Sequence, residues 1–210
     1  MPDNLDKSKL MLEKISKAEK ILVVASSPAD FDSFGTTLAT KWWLERLGKR
    51  DVKTYYFGVI PEWIKIMPNS ESIESRYPDG VEFSYYDLIV LLDSNSWIQS
   101  FTNNYEKYIS DELKKKIINI DHHNSLSIEK DIGDSCLRIE FECCTSKILY
   151  DYFIKPSGIE LDKTVAEWMY YSLIGDTGNF QYEIYSGTFN FADLLIKAGV
   201  DYESANEMYM

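Results

Sequence analysis

Five aspartates and both histidines of this chain fall in four short motifs whose residue types can do chemistry. Asp30 and Asp32 stand one residue apart in "VVASSPADFDSFGTTLA" (23–39). Asp93 closes "YDLIVLLD", and Asp121, His122 and His123 are adjacent in "IINIDHH". Asp176 lies in "GDTG". Carboxylates held close together repel unless a cation neutralises them. Three or four of them converging with one imidazole therefore call for a divalent metal. Oxygen and nitrogen ligands without sulfur suit Mn2+, Mg2+, Fe2+ or Co2+ better than structural Zn2+. Two such ions sharing a carboxylate could hold a hydroxide that attacks phosphorus in line. Taken singly, each motif has a plainer use. D-x-D in a loop makes a turn or a helix cap, Asp93 could cap a following helix, and "GDTG" could be a turn. The four together, in order, at strand ends, favour the metal.

The elements that must position these residues alternate along the chain. "ILVVAS" (21–26), "VKTYYFGV" (52–59), "YDLIVLLD" (86–93), "IINIDHH" (117–123) and "SCLRIE" (135–140) read as strands. The continuous apolar runs are those of strands covered on both faces. Helical spacing predicts helices over 32–49, 103–116, 144–155, 162–178 and 187–199, with Asp162 as an N-cap and Gly48 and Gly158 as stops. Pro156 is expected to help end the third of these helices, and "PEWIKIM" is expected to be a short helical piece. The alternation predicts an α/β fold, an open and mostly parallel sheet with helices on both faces. Ligands in such sheets bind beyond the C-terminal strand ends, where the four motifs lie.

Composition narrows the function. The 210 residues are 45% hydrophobic and 14% aromatic, enough for a substantial core. No apolar run approaches the roughly 18 residues of a membrane span. The N-terminal segment 1–19 lacks a signal-peptide centre and predicts an amphipathic helix with Leu5, Leu12 and Ile15 on one face. A cytoplasmic protein without a membrane partner is the expectation. Cys136, Cys143 and Cys144 form no disulfide framework and read as buried thiols. The net charge of −12 disfavours duplex DNA and favours small phosphorylated ligands or short oligonucleotides. Lys114, Lys115 and Lys116 read as a solvated helix end complementing the helix dipole.

"D-x-D-x-x-G-T" (Asp30 to Thr36), "LLDS" at Asp93, "DHHN" (Asp121 to Asn124) and "GDTGNF" at Asp176 resemble the four ordered motifs of the DHH phosphoesterases. That superfamily includes RecJ-like exonucleases, oligoribonucleases, cyclic-dinucleotide phosphodiesterases and family II inorganic pyrophosphatases. The resemblance covers roughly residues 20–200. It implies a metal-dependent phosphoesterase, with one or two Mn2+ or Mg2+ ions, acting on a small nucleotide or short oligonucleotide, and leaves room for a homodimer. By position, Asp30 would hold a first metal, Asp32, His122 and Asp176 a second, and Asp93 would bridge them. His123 would face the substrate phosphate, and Asp121 would orient the imidazoles. Asn124 and Gly178 would border the substrate, and Gly35 would let the helix N-terminus approach the ligand.

Two departures qualify the resemblance. The family's first motif usually opens with a histidine, and here that position is Ser26, whose hydroxyl would contact the first metal or the substrate. Family members also continue into a smaller basic substrate-binding domain, so residues 201–210 are expected to begin a linker helix towards one. A degenerate binding protein and an inorganic pyrophosphatase are the alternative functions.

Overall fold

The computed structural model describes residues 3–124 and 127–209. Its centre is a six-stranded sheet, all parallel: β1 (Lys20–Ala25), β2 (Asp51–Phe57), β3 (Glu74–Arg76), β4 (Leu88–Leu92), β5 (Ile117–Asp121) and β6 (Cys136–Arg138). Across the sheet the order is β3-β2-β1-β4-β5-β6. The chain builds outward from β1 in one direction, then returns to β1's other side with β4. The reversal falls between β1 and β4, where an open α/β sheet leaves a crevice at its C-terminal edge.

The apolar strands are buried on both faces in strict alternation. Ile21, Val23 and Ala25 of β1 and Leu88, Val90 and Leu92 of β4 join one core. Leu22, Val24, Ile89 and Leu91 join the opposite one. The first core packs under helices α2 (Phe31–Arg46) and α8 (Lys163–Asp176). The second packs under α3 (Trp97–Phe101), α4 (Asp111–Lys115) and α5 (Ser127–Ile132). This two-sided burial is why the strands read as unbroken apolar runs.

Several expectations need correction. β3 was not legible, because "ESR" pairs at the sheet edge with hardly any apolar surface to bury. The helix expected over 103–116 is a 3₁₀ turn, Tyr105–Lys107, followed by the short α4. The Ser110 side chain accepts the Leu113 N–H at 3.1 Å and so starts a new helix rather than continuing one. In α1 (Asn4–Lys17), Met11 and Ile15 face inward with Ser8, while Leu5 is 58% exposed. Pro156 does not stop its helix. After α6 (Thr145–Leu149) the coil widens through a π-helical stretch, Tyr150–Ile154, and passes Pro156 in α7 (Lys155–Ser157). Gly158, at φ +72°, ends it.

Asp162 is the N-cap of α8, accepting Val165 N–H at 3.1 Å, as its position implied. Helices α9 (Thr188–Lys197) and α10 (Tyr202–Tyr209) complete the described chain. α10 folds back on α8, the Tyr209 hydroxyl donating to the Gly175 carbonyl at 3.3 Å.

Candidate metal centre

Strand register brings the motifs level. Ala25 pairs with Leu92, and the Asp93 N–H donates to the Ile120 carbonyl, so Ser26, Asp93 and Asp121 sit together at the C-terminal strand ends. Asp93 has φ +54°, a left-handed turn that aspartate tolerates better than most residues. β5 delivers Asp121 and the histidines, α2 delivers Asp32 in its first turn, and α8 delivers Asp176 as its last residue.

His122 is the centre of the cluster. Its Nδ1 lies 3.0 Å from the Glu142 carbonyl, which only accepts, so Nδ1 carries the proton. Nε2 then points at three carboxylates: Asp176 Oδ2 at 3.1 Å, Asp93 Oδ1 at 3.6 Å and Asp32 Oδ2 at 3.8 Å. Asp32, His122 and Asp176 each offer one ligand atom, all within 4.8 Å of one another. These are the residues the resemblance assigned to its second metal.

Each carboxylate is held differently. Asp32 is fully buried and accepts from Thr145 N–H at 2.7 Å, Ser146 N–H at 3.3 Å, Thr36 Oγ1 at 3.0 Å and the Ser172 hydroxyl. Burial alone would raise its pKa, but the His122 ring and these donors outweigh it and hold Asp32 below the usual carboxylate range. Asp93 and Asp176 move the other way. Burial, then the neighbouring carboxylates, pushes both well above the usual range. For the His122 ring, burial opposes the charge, yet the adjoining Asp176 and Asp32 lift its pKa to about 10. A cluster that takes up protons so readily is short of positive charge.

The residues present fit a divalent cation. Asp176 Oδ2 is buried and receives no well-directed hydrogen bond from the described residues. Asp32 Oδ2 accepts one backbone N–H and keeps a lone pair on the His122 side. His122, once neutral, presents the free nitrogen that metal ligation needs. Asp93, His122 and His123 form a second grouping. There, however, His123 Nδ1 is 2.8 Å from Asp121 Oδ1 and 3.4 Å from Asp93 Oδ1, so it bears a proton. This second grouping thus offers a metal two ligands, and His123 keeps Nε2 for the cavity.

Other expected site residues take more varied places. Asp30 is the N-cap of α2, accepting Ser33 N–H at 2.7 Å, and raises the pKa of both Asp93 and Asp176 through its charge. The cap is the plainer use that D-x-D allowed. Ser26 is buried just past β1. Asp121 orients His123 alone, since His122 is oriented by the Glu142 carbonyl. Gly35 serves helix packing rather than ligand approach: a Cβ there would come within 2.4 Å of the Trp168 carbonyl oxygen on α8. Gly178, at φ +54°, lies under the Tyr182 ring, which a Cβ would meet at 2.2 Å, so its role is in the backbone turn. Glu142, Thr145, Ser146 and Ser172 were missed. Three of the four act at least partly through backbone groups, which leave no mark on residue type.

A cavity of about 430 Å3 lies at the cluster, lined by His122, His123, Asn124, Asp176 and Glu142 together with Phe141, Tyr182, Glu183 and Tyr185. No lysine or arginine lines it among the described residues.

The model of the DHH family, N-terminal domain, matches residues 20–173. Among solved structures, an exopolyphosphatase-related protein from Bacteroides fragilis superposes with a TM-score of 0.76 at 23% identity over 97% of this chain. At that identity the likeness is one of fold, and the chain spans 60% of that protein's length. No curated protein sequence matches the chain.

Proposed function

The chain belongs to the DHH family, and we propose that it forms the metal-holding part of a phosphoesterase acting on a small nucleotide or short oligonucleotide. The observation that carries this reading is the convergence of one ligand atom each from Asp32, Asp176 and His122 within 4.8 Å. A divalent cation held there would neutralise the carboxylates, polarise a phosphoryl oxygen and activate water for in-line attack. Asp93 stands beside the set as a further ligand, its second role being to accept from Thr145 Oγ1 at 3.1 Å. His123, fixed through Nδ1 by Asp121, offers Nε2 to a phosphoryl oxygen in the cavity. The aromatic and acidic lining suits a base with amino groups better than a chain of phosphates. That lining weighs against inorganic pyrophosphate or polyphosphate as the substrate of this site.

Ser26 favours a second reading, a relative that binds nucleotide and one ion with little turnover. Both are tested by phosphate release from adenosine bisphosphate, a dinucleotide, a cyclic dinucleotide and pyrophosphate with Mn2+, alongside an ion count by anomalous scattering. Turnover of a nucleotide substrate supports the enzyme. Ion binding without turnover, with activity created by Ser26→His, supports the binding protein. Absence of any bound ion at millimolar Mn2+ sinks both.

A further inference from the structure

The turn that aims the Glu142 carbonyl at His122 is an improbable one. Phe141, an exposed aromatic residue, sits at φ +62°, where a non-glycine backbone is strained and persists only if its surroundings over-determine it. The Phe141 ring meets the Tyr185 ring edge-on at 6.0 Å between centroids, and the next side chain is gripped at both oxygens. Glu142 Oε1 accepts the N–H of Cys143 at 3.0 Å, and Oε2 takes Lys147 Nζ at 2.9 Å. Lys147 is itself well buried, its side chain 11% exposed, and is anchored by Asp151 Oδ2 at 2.7 Å one helical turn along. Gly187, at φ +93°, leaves room over the lysine stem, where a Cβ would stand 3.3 Å from Cε. The same short segment supplies Thr145 and Ser146 to Asp32 and Thr145 to Asp93.

We infer that Lys147 is a positioning residue for the candidate metal centre, acting through Glu142 to hold the carbonyl that fixes the proton of His122 on Nδ1. This rests on His122 being a metal-holding imidazole, as proposed above. Lys147 touches neither the cavity's contents nor the ligand atoms. Its effect is transmitted by one ion pair, one strained turn and one hydrogen bond.

The test compares Lys147→Met, Lys147→Arg and Glu142→Gln with the parent protein. Two quantities are read: Mn2+ affinity from the paramagnetic resonance of free ion, and exchange of the His122 Nδ1 proton by NMR in the metal-free protein. The expected result is about tenfold or greater loss of Mn2+ affinity in Lys147→Met, within the range typical of groups that orient a metal ligand. The Nδ1 proton should exchange at least about tenfold faster, in proportion to the lost hold on its carbonyl. Lys147→Arg restores both in part. Glu142→Gln, which keeps the side chain's volume, shifts both in the same direction and serves if Lys147→Met does not fold. A lower melting temperature with affinity and proton exchange unchanged would overturn the inference and leave Lys147 a purely structural ion pair. If the parent protein binds no Mn2+, the proposed function fails, and the proton exchange still decides whether Lys147 holds the imidazole.

Discussion

His122 Nε2 stands 3.1 Å from Asp176 Oδ2, although one residue follows strand β5 and the other ends helix α8. Strand end and helix end thus place an imidazole nitrogen against a buried carboxylate oxygen that has no other donor among the described residues. A carboxylate there is useful to a cation and costly without one.

That asymmetry predicts the behaviour of Asp176→Asn. In metal-free protein burial and the Asp32 charge push the Asp176 carboxyl well above its usual range, so its ionised form is held at a cost. The substitution removes the burial cost of that carboxyl together with the partner that lifts the His122 pKa, so the two effects oppose and the metal-free melting temperature should move little. The rise on adding Mn2+ should shrink, with affinity down about tenfold or more for a lost ligand. Calorimetric melts with and without Mn2+ check both halves. A metal-free melting temperature that collapses would show Asp176 to be a structural anchor.

The pH dependence follows from His122. Its folded pKa is raised to about 10, mainly by Asp176 against the opposing effect of burial, from an ordinary 6.5. A raised pKa means the folded protein keeps a proton that the unfolded chain releases. The stabilisation is complete below about pH 6.5 and is lost as pH climbs towards 10, by at most about 1.4 kcal/mol per unit for one group. Metal-free protein should therefore melt at falling temperatures from pH 6.5 to 9. A bound divalent cation displaces that proton, so Mg2+ should stabilise more at pH 8.5 than at pH 6.5. Melts in chelator and in Mg2+ across this range test the sign.

What was legible in the sequence depends on how each contact is made. The runs "ILVVA" and "LIVLL" announce a buried parallel sheet because both faces of each strand are apolar, and "IINID" keeps one apolar face in Ile118 and Ile120. β3 carries three mostly exposed polar residues and announces nothing. The Asp32, His122 and Asp176 cluster is likewise readable, because metal chemistry demands those side chains. The Glu142 carbonyl and the Thr145 and Ser146 amides do equal work at 2.7 to 3.3 Å, yet any residue supplies such a group. Asp30 fits a ligand and a helix cap by type, and the cap that the structure shows uses only its Oδ1, on the Ser33 N–H.

Asp32 should behave unlike Asp176. It is fully buried and accepts two backbone N–H groups and two hydroxyls. In Asp32→Asn one oxygen becomes a donor facing donors, and each buried group left unpaired costs about 1–3 kcal/mol. Urea unfolding of metal-free protein should show a loss of about 3 kcal/mol or more, far beyond the effect of Asp176→Asn. Equal stability of the two variants would mean that the hydrogen-bond cage around Asp32 contributes little.

Gly35 couples helix packing to the candidate metal centre. A methyl group at this position would lie 2.4 Å from the Trp168 carbonyl oxygen and 3.2 Å from Ser172 Cβ, so α2 and α8 must part to admit it. Backbone atoms cannot swing aside as a side chain would, and overpacking of this kind costs about 1–3 kcal/mol. Asp32 rides on α2, while Asp176 and the Ser172 hydroxyl ride on α8, so the separation is also felt between the ligands. Gly35→Ala should thus lower both the unfolding free energy and Mn2+ affinity. Titration of Mn2+ at a temperature well below the variant's melting point separates the two effects. Affinity equal to the parent's in a folded but destabilised Gly35→Ala would show that the ligand geometry survives helix displacement, and that α2 and α8 need not be in close contact for the centre to form.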